Sequence, residues 1–162
     1  FNATRKAYNR TYLDNLSPVL YPFGYGLSYS TFGDSDIKAE RIAKNRFDIS
    51  VRVKNTSGVG GKEVVQLFIS GKGNSVRRRA KELRGFEKIY LGAGEEKTVR
   101  FSLGYEELKV YSARGRYEIE DASVTVSLGV STDSPLTAQI NTEAEIKLYR
   151  RKFLPRVLQP II

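Results

Sequence analysis

The chain has 162 residues, with 27 Lys+Arg against 18 Asp+Glu for a formal charge of +9, and no Cys, His, Met or Trp. That length suits one domain with its own core and would cramp two. Without Cys or His there is no disulfide, no thiol nucleophile, no thiolate or imidazole metal site and no Ser-His-Asp triad, so no metal or cofactor is expected. A chain that starts at Phe1 and lacks Met is expected to be a processed piece of a longer protein. No apolar run of about 20 residues marks a membrane span, and no signal-peptide layout opens the chain.

Residues 1–34 read as an extended arm. Tyr8, Tyr12, Tyr21, Phe23, Tyr25, Tyr29 and Phe32 are interrupted by Pro18, Pro22, Gly24 and Gly26, and no helical or strand period survives that punctuation. So many rings are costly in water, which predicts an arm laid against another surface.

From about Ile37 the texture is all-β. Phe47 to Lys54 alternates apolar and polar, placing Phe47, Ile49, Val51 and Val53 on one face. Asn55 to Gly61 reads as a turn, followed by a β-branched run from Glu63 to Ser70. Leu83–Leu91 and Lys97–Leu103 predict two more strands around the Gly92-Ala93-Gly94 turn, and Tyr105–Leu108 a single helical turn. Tyr117–Glu120, Val124–Val130 and Ala138–Tyr149 complete the pattern. Short strands with Gly-rich turns and no sustained helix predict an immunoglobulin-like two-sheet sandwich over 35–149. The tail, 150–162, is basic and apolar, and Pro155 and Pro160 exclude a long helix.

The charge favours polyanions by steering and counterion release but names no partner. Arg77, Arg78, Arg79 and Lys81 form the densest basic cluster and follow the polar loop Gly71–Ser75. This cluster is read as a polyanion-binding or substrate-entrance loop, or as a solvated edge that discourages aggregation. No zinc-knuckle spacing or aromatic single-strand platform accompanies it, so nucleic acid is not the expected partner. Acid/base catalysis by paired carboxyls would need the two groups to face each other. Asp34 with Asp36, Glu95 with Glu96, Glu106 with Glu107 and Glu118 with Glu120 are the candidate pairs, and periodicity or turn context puts each on the solvated surface. No catalytic residue is expected. The Asn-x-Ser/Thr patterns at Asn2, Asn9 and Asn55 are assigned no function.

Two blocks carry a family resemblance. Tyr21-Pro22-Phe23-Gly24-Tyr25-Gly26-Leu27-Ser28-Tyr29-Ser30-Thr31-Phe32 resembles the YPFGYGLSYTTF signature of glycoside hydrolase family 3, the β-glucosidase and β-xylosidase group. Val51–Thr56, Gly61–Ile69 and Lys81–Ile89 resemble the fibronectin type III-like domain at the C-terminus of those enzymes. Agreement thins afterwards, where Asp121, Ala122 and Val124 replace the family's turn Pro, turn Gly and following Tyr.

The resemblance implies a fibronectin type III-like sandwich in a larger glycosidase, with a periplasmic or secreted parent. The barrel and α/β sandwich domains that carry its catalytic carboxylates have no counterpart in these residues. Those two domains are then the expected partners, with Tyr21, Phe23, Tyr25, Tyr29 and Phe32 as interdomain anchors. Self-association through the arm, and a role in binding β-linked polysaccharide, are the alternatives carried forward.

Overall fold

In a computed structural model, residues 21, 23–76, 79, 81–130 and 136–146 are described. The upstream half of the arm, Arg77, Arg78, the end of the last expected strand and the tail 150–162 lie outside the described residues.

Among the described residues, nine strands and one helical turn follow in order: β1 Phe32–Ala43, β2 Arg46–Asn55, β3 Gly61–Lys72, β4 Glu82–Leu91, β5 Glu96–Leu103, α1 Tyr105–Leu108, β6 Val110–Tyr111, β7 Tyr117–Glu118, β8 Ala122–Gly129 and β9 Leu136–Thr142. They form a three-stranded sheet in the order β1-β2-β5, a four-stranded sheet β4-β3-β8-β9 and the small β6-β7 hairpin. All pairings are antiparallel. The fold is the expected all-β sandwich.

The alternation read in β2 is realised directly. Phe47, Ile49, Val51 and Val53 are buried, and Ile49 lies in register between Ala39 of β1 and Phe101 of β5. From the other sheet Val65, Leu67 and Ile69 meet them, and Leu67 lies between Gly85 of β4 and Leu128 of β8. Burying each such side chain contributes about 1.5–3 kcal/mol, which makes this inner layer the main support of the fold. Val124, Val126 and Leu128 also join it, so Val124 at the family's Tyr position is core.

The first strand begins at Phe32, five residues before the β texture expected from Ile37. Its Gly, Asp and Ser residues hid it, and pairing with β2 overrides their low strand propensity. The last strand is shorter than expected and ends at Thr142.

Two buried asparagines tie the ends together. Asn45, in the β1–β2 turn at φ 50°, donates Nδ2 to the Glu143 carbonyl and accepts the Glu143 N–H at Oδ1, both at 2.8 Å. Asn55 donates to the carbonyls of Val59 at 2.8 Å and Leu91 at 3.1 Å. Its Oδ1 accepts from the Ser57 N–H and hydroxyl. Fully buried, Asn55 is a structural pin and not an open glycan acceptor.

Candidate functional site

The segment before β1 is attached to the sandwich at two points. Gly24, at φ +89°, presses so closely on β3 that a Cβ there would lie 2.5 Å from Gln66 Nε2 and 2.7 Å from the Val130 carbonyl. Only a residue without a side chain fits that position. Gln66 in turn donates Nε2 to the Val130 carbonyl at 2.9 Å, bracing the platform on which Gly24 rests. The second attachment is the Ser30 hydroxyl, which donates to the Val59 carbonyl at 2.9 Å. The Thr56 N–H then donates to the Thr31 carbonyl at 2.8 Å.

Around these points the apolar side chains are largely exposed. Leu27 is 92% exposed and Tyr29 fully so, while Tyr21, Phe23 and Tyr25 each leave half or more of their surface in solvent. Tyr21 and Tyr25 pack on each other with ring centroids 4.9 Å apart. Phe23 meets Phe68 of β3 edge-on, at 6.4 Å and 85°. Phe32, the fifth expected anchor, instead packs half-buried against the chain's own core.

The sheet under Phe23 continues the apolar surface. Pairing of β3 with β4 puts Phe68 opposite Leu83, Gln66 opposite Phe86 and Lys62 opposite Tyr90, all on the outer side. A bulge after Leu67 leaves Arg84 as the extra residue and restores this alignment. Leu83, Phe86 and Tyr90 are exposed. Leu83 and Phe86 were missed as site residues because β4 alternates poorly around Gly85. The available signal was a strand apolar on both faces, which reads as covered on both.

The basic loop belongs to the same surface. Arg79 and Lys81 line a cleft of about 590 Å³ together with Phe23, Phe68, Leu83, Glu82 and Arg84. Arg77 and Arg78 lie outside the described residues. The geometry thus joins the aromatic segment and the described part of the basic loop, two features far apart in sequence.

Among the described residues, acidic side chains in each of the four sequence pairs have local partners. Glu95 accepts from the Gly92 N–H at 2.6 Å and Glu107 from the Gly104 N–H at 2.9 Å, both fastening turns. Glu96 pairs with Arg52 and Glu106 with Lys109. Three of the expected surface residues, Glu118, Glu120 and Asp34, need correction. Glu118 is 2% exposed, because β7 ends there and Ile119 bridges to Glu145, so Tyr117 and not Glu118 turns to solvent. It pairs with Arg116 Nε at 3.0 Å. Glu120 is half-buried, its carboxyl held below the ordinary range by Ser75 and Asn74 against the opposing pull of burial. Asp34 is half-buried as well, and burial raises its carboxyl above the ordinary range. Glu63 is raised too, first by burial and then by the charge of Asp34.

Among the described residues no three Asp or Glu side chains are grouped to hold a metal ion, and no helix is long and apolar enough to cross a membrane. What this surface can do chemically is exclude water against a complementary apolar face while basic side chains at its edge set the register.

Residues 63–132 match the fibronectin type III-like domain. The chain is 44% identical over 128 residues to a putative β-xylosidase of Formosa agariphila, covering 77% of this chain and 17% of that protein. It is 38% identical over 137 residues to the thermostable β-glucosidase B of Acetivibrio thermocellus, covering 82% and 18%. Among solved structures, a GH3 β-glucosidase of Bifidobacterium adolescentis superposes with a TM-score of 0.74 at 30% identity, over 82% of this chain and 20% of that one. A Listeria innocua β-glucosidase solved with glucose gives 0.72 at 34%, over 86% and 20%. The chain therefore spans about a fifth or less of the proteins it matches.

Proposed function

We propose that this chain, which belongs to the fibronectin type III-like region of glycoside hydrolase family 3 enzymes, is a non-catalytic packing domain. The parent polypeptide hydrolyses β-glucosides or β-xylosides with carboxylates of its other domains. The sandwich holds those domains in place through residues 21–29 and the outer face of β3 and β4. One observation carries this reading: Leu27 and Tyr29 stand out in solvent on a segment whose two ends are fixed to the sandwich. A segment held this way presents apolar side chains at low ordering cost, as an interface anchor requires.

The test is to place Leu27→Asp and Tyr29→Asp in the full-length enzyme and in the isolated chain. The isolated chain keeps its thermal midpoint, since neither side chain packs on it, while the full-length enzyme loses thermal stability and activity together. An unchanged full-length enzyme would overturn the proposal. Retardation of the isolated chain in gels containing soluble β-glucan, lost in the same variants, would replace it with a sugar-binding role.

A further inference from the structure

Charge is distributed differently over the two outer sides of the sandwich. On the three-stranded sheet a hollow of about 340 Å³ is lined by three acids, Asp36, Glu40 and Asp48, and three bases, Lys38, Arg52 and Arg100, so its walls carry no excess. Beside the aromatic segment, the cleft floored by Phe23, Phe68 and Leu83 is lined by three bases, Arg79, Lys81 and Arg84, against the carboxylate of Glu82. Arg84 pairs with Glu82, so the positive excess sits on the side of the loop that precedes β4.

Arg79, Glu82 and Arg84 have a second side. They also line a neighbouring cleft of about 530 Å³, which Lys109, Tyr111 and Tyr117 complete. The two tyrosine rings meet edge-on with centroids 5.2 Å apart, and each leaves more than half of its surface in solvent. Lys109 Nζ lies over the Tyr117 ring, 5.2 Å from its centroid, and extends the positive rim. The loop before Arg79 is braced against this hairpin, because the Ser75 hydroxyl accepts from the Ala113 N–H at 3.0 Å and the Ser75 N–H donates to Glu120 at 2.9 Å. The surface therefore runs from one aromatic hollow, across a basic divide, to another.

We propose that this double hollow is the docking site for a segment of the parent polypeptide that carries a carboxylate between two apolar side chains. The proposal rests on the packing role above and names the chemistry of what is packed. The carboxylate pairs with Arg79 on the divide, where the apolar walls to either side exclude water and strengthen the pair. One apolar side chain enters the cleft of Phe23, Phe68 and Leu83, and the other lies on Tyr111 and Tyr117. A neutral or basic segment would instead cover the divide and leave its charge buried without a counterion, which is costly. This chain spans about a fifth or less of the proteins it matches, so the rest of such a polypeptide, tethered to it, is the occupant at the highest local concentration.

The experiment compares the full-length enzyme and the 162-residue chain, each native, with Arg79→Glu and with Arg79→Lys. Arg79 is exposed, so the isolated chain keeps its thermal midpoint in both variants. In the full-length enzyme Arg79→Glu is expected to speed thermal inactivation about tenfold or more, because like charges then meet at the divide, whereas Arg79→Lys keeps most of the native resistance. A water-soluble carbodiimide applied to the full-length Arg79→Lys enzyme joins the introduced amine to a carboxylate in contact with it. Peptide mapping is expected to place that carboxylate outside residues 1–162, next to apolar residues. Unchanged inactivation with Arg79→Glu, a cross-link to Glu82 or to a second copy in place of another part of the parent, or a carboxylate without apolar neighbours would overturn the proposal. Leu27→Asp and Tyr29→Asp report on the packing role separately: if they destabilise the full-length enzyme and Arg79→Glu does not, packing stands and this occupant falls, and if none of the three acts, both fall.

Discussion

The two outer faces of the sandwich are built on equally apolar inner faces, yet they are opposites. On the three-stranded sheet, Asp48 and Arg52 of β2, Arg100 of β5 and Lys38 and Glu40 of β1 stand in solvent. Arg52 Nε there reaches both Asp36 and Glu96 at 3.3 Å. On the four-stranded sheet, Phe68, Leu83, Phe86 and Tyr90 form an apolar band crossed by Phe23 and Gly24. The folded sandwich requires only the inner faces, so the second outer face is the one that the proposed packing role would use.

Four tests sharpen this contrast. The largest effect is expected inside. Ile49→Ala in one sheet and Leu67→Ala in the other each cost about 2–5 kcal/mol in urea denaturation, since both side chains are buried in the shared core. Near-neutral values for either would mean that the two sheets do not share one core.

Gly24→Ala comes next. It adds a Cβ to a position at φ +89° that is already filled by Gln66, and costs about 1 kcal/mol or more, felt as release of the segment and faster proteolysis between Tyr21 and Tyr29. Gly94→Ala, at φ +73° with open space around it, is the control that isolates the backbone share. Equal protease sensitivity in the two variants would show that the close approach to Gln66 is not what holds the segment.

Asp34→Asn tests the edge of the charged sheet. Asp34 lies in register with buried Val53, and its Oδ1 is shut from solvent without a partner. Its native carboxyl is raised above the model-compound 3.8, so the native state binds the proton more tightly than the unfolded chain does. The stability tied to that proton is full below 3.8 and is lost as pH rises through the raised value. The Asn variant does not suffer this loss. It is therefore expected to be more stable than the native chain at pH 7, with the advantage shrinking under acid; chemical denaturation at several pH values reads this directly, and a constant difference would refute the assignment to Asp34.

The smallest stability effects separate the outer faces themselves. Phe86→Ser and Arg100→Ser each stay within about 0.5 kcal/mol of the native chain, because both side chains are exposed. Only Phe86→Ser is expected to lower self-association in sedimentation velocity. A fall with Arg100→Ser as well would make charge, and not apolar contact, the cause.

Much of this was legible beforehand. Strict alternation from Phe47 to Val53 has one stable solution, a half-buried strand, and the structure uses it. The start of β1 was not legible, because Gly33, Asp34 and Ser35 carry no strand preference of their own and are held by β2. Glu118 was misread because a period of 2 assumes that a strand continues, and β7 stops at that residue. Of the site, the aromatic segment was visible from its composition, whereas its attachment at Gly24 and its continuation through Leu83 and Phe86 depend on residues more than forty positions away.

The sequence by itself determined the class of fold, the inward set of β2, β5 and β8, and the lack of Cys and His chemistry, since side-chain period and residue inventory are local properties. Tertiary structure alone decided that Phe23 lies on Phe68, that Arg79 and Lys81 share a cleft with them, and that Arg79 also lines a cleft with Tyr111 and Tyr117. Those juxtapositions come from strand order and register, which are fixed by packing between sheets and leave no local trace in the chain.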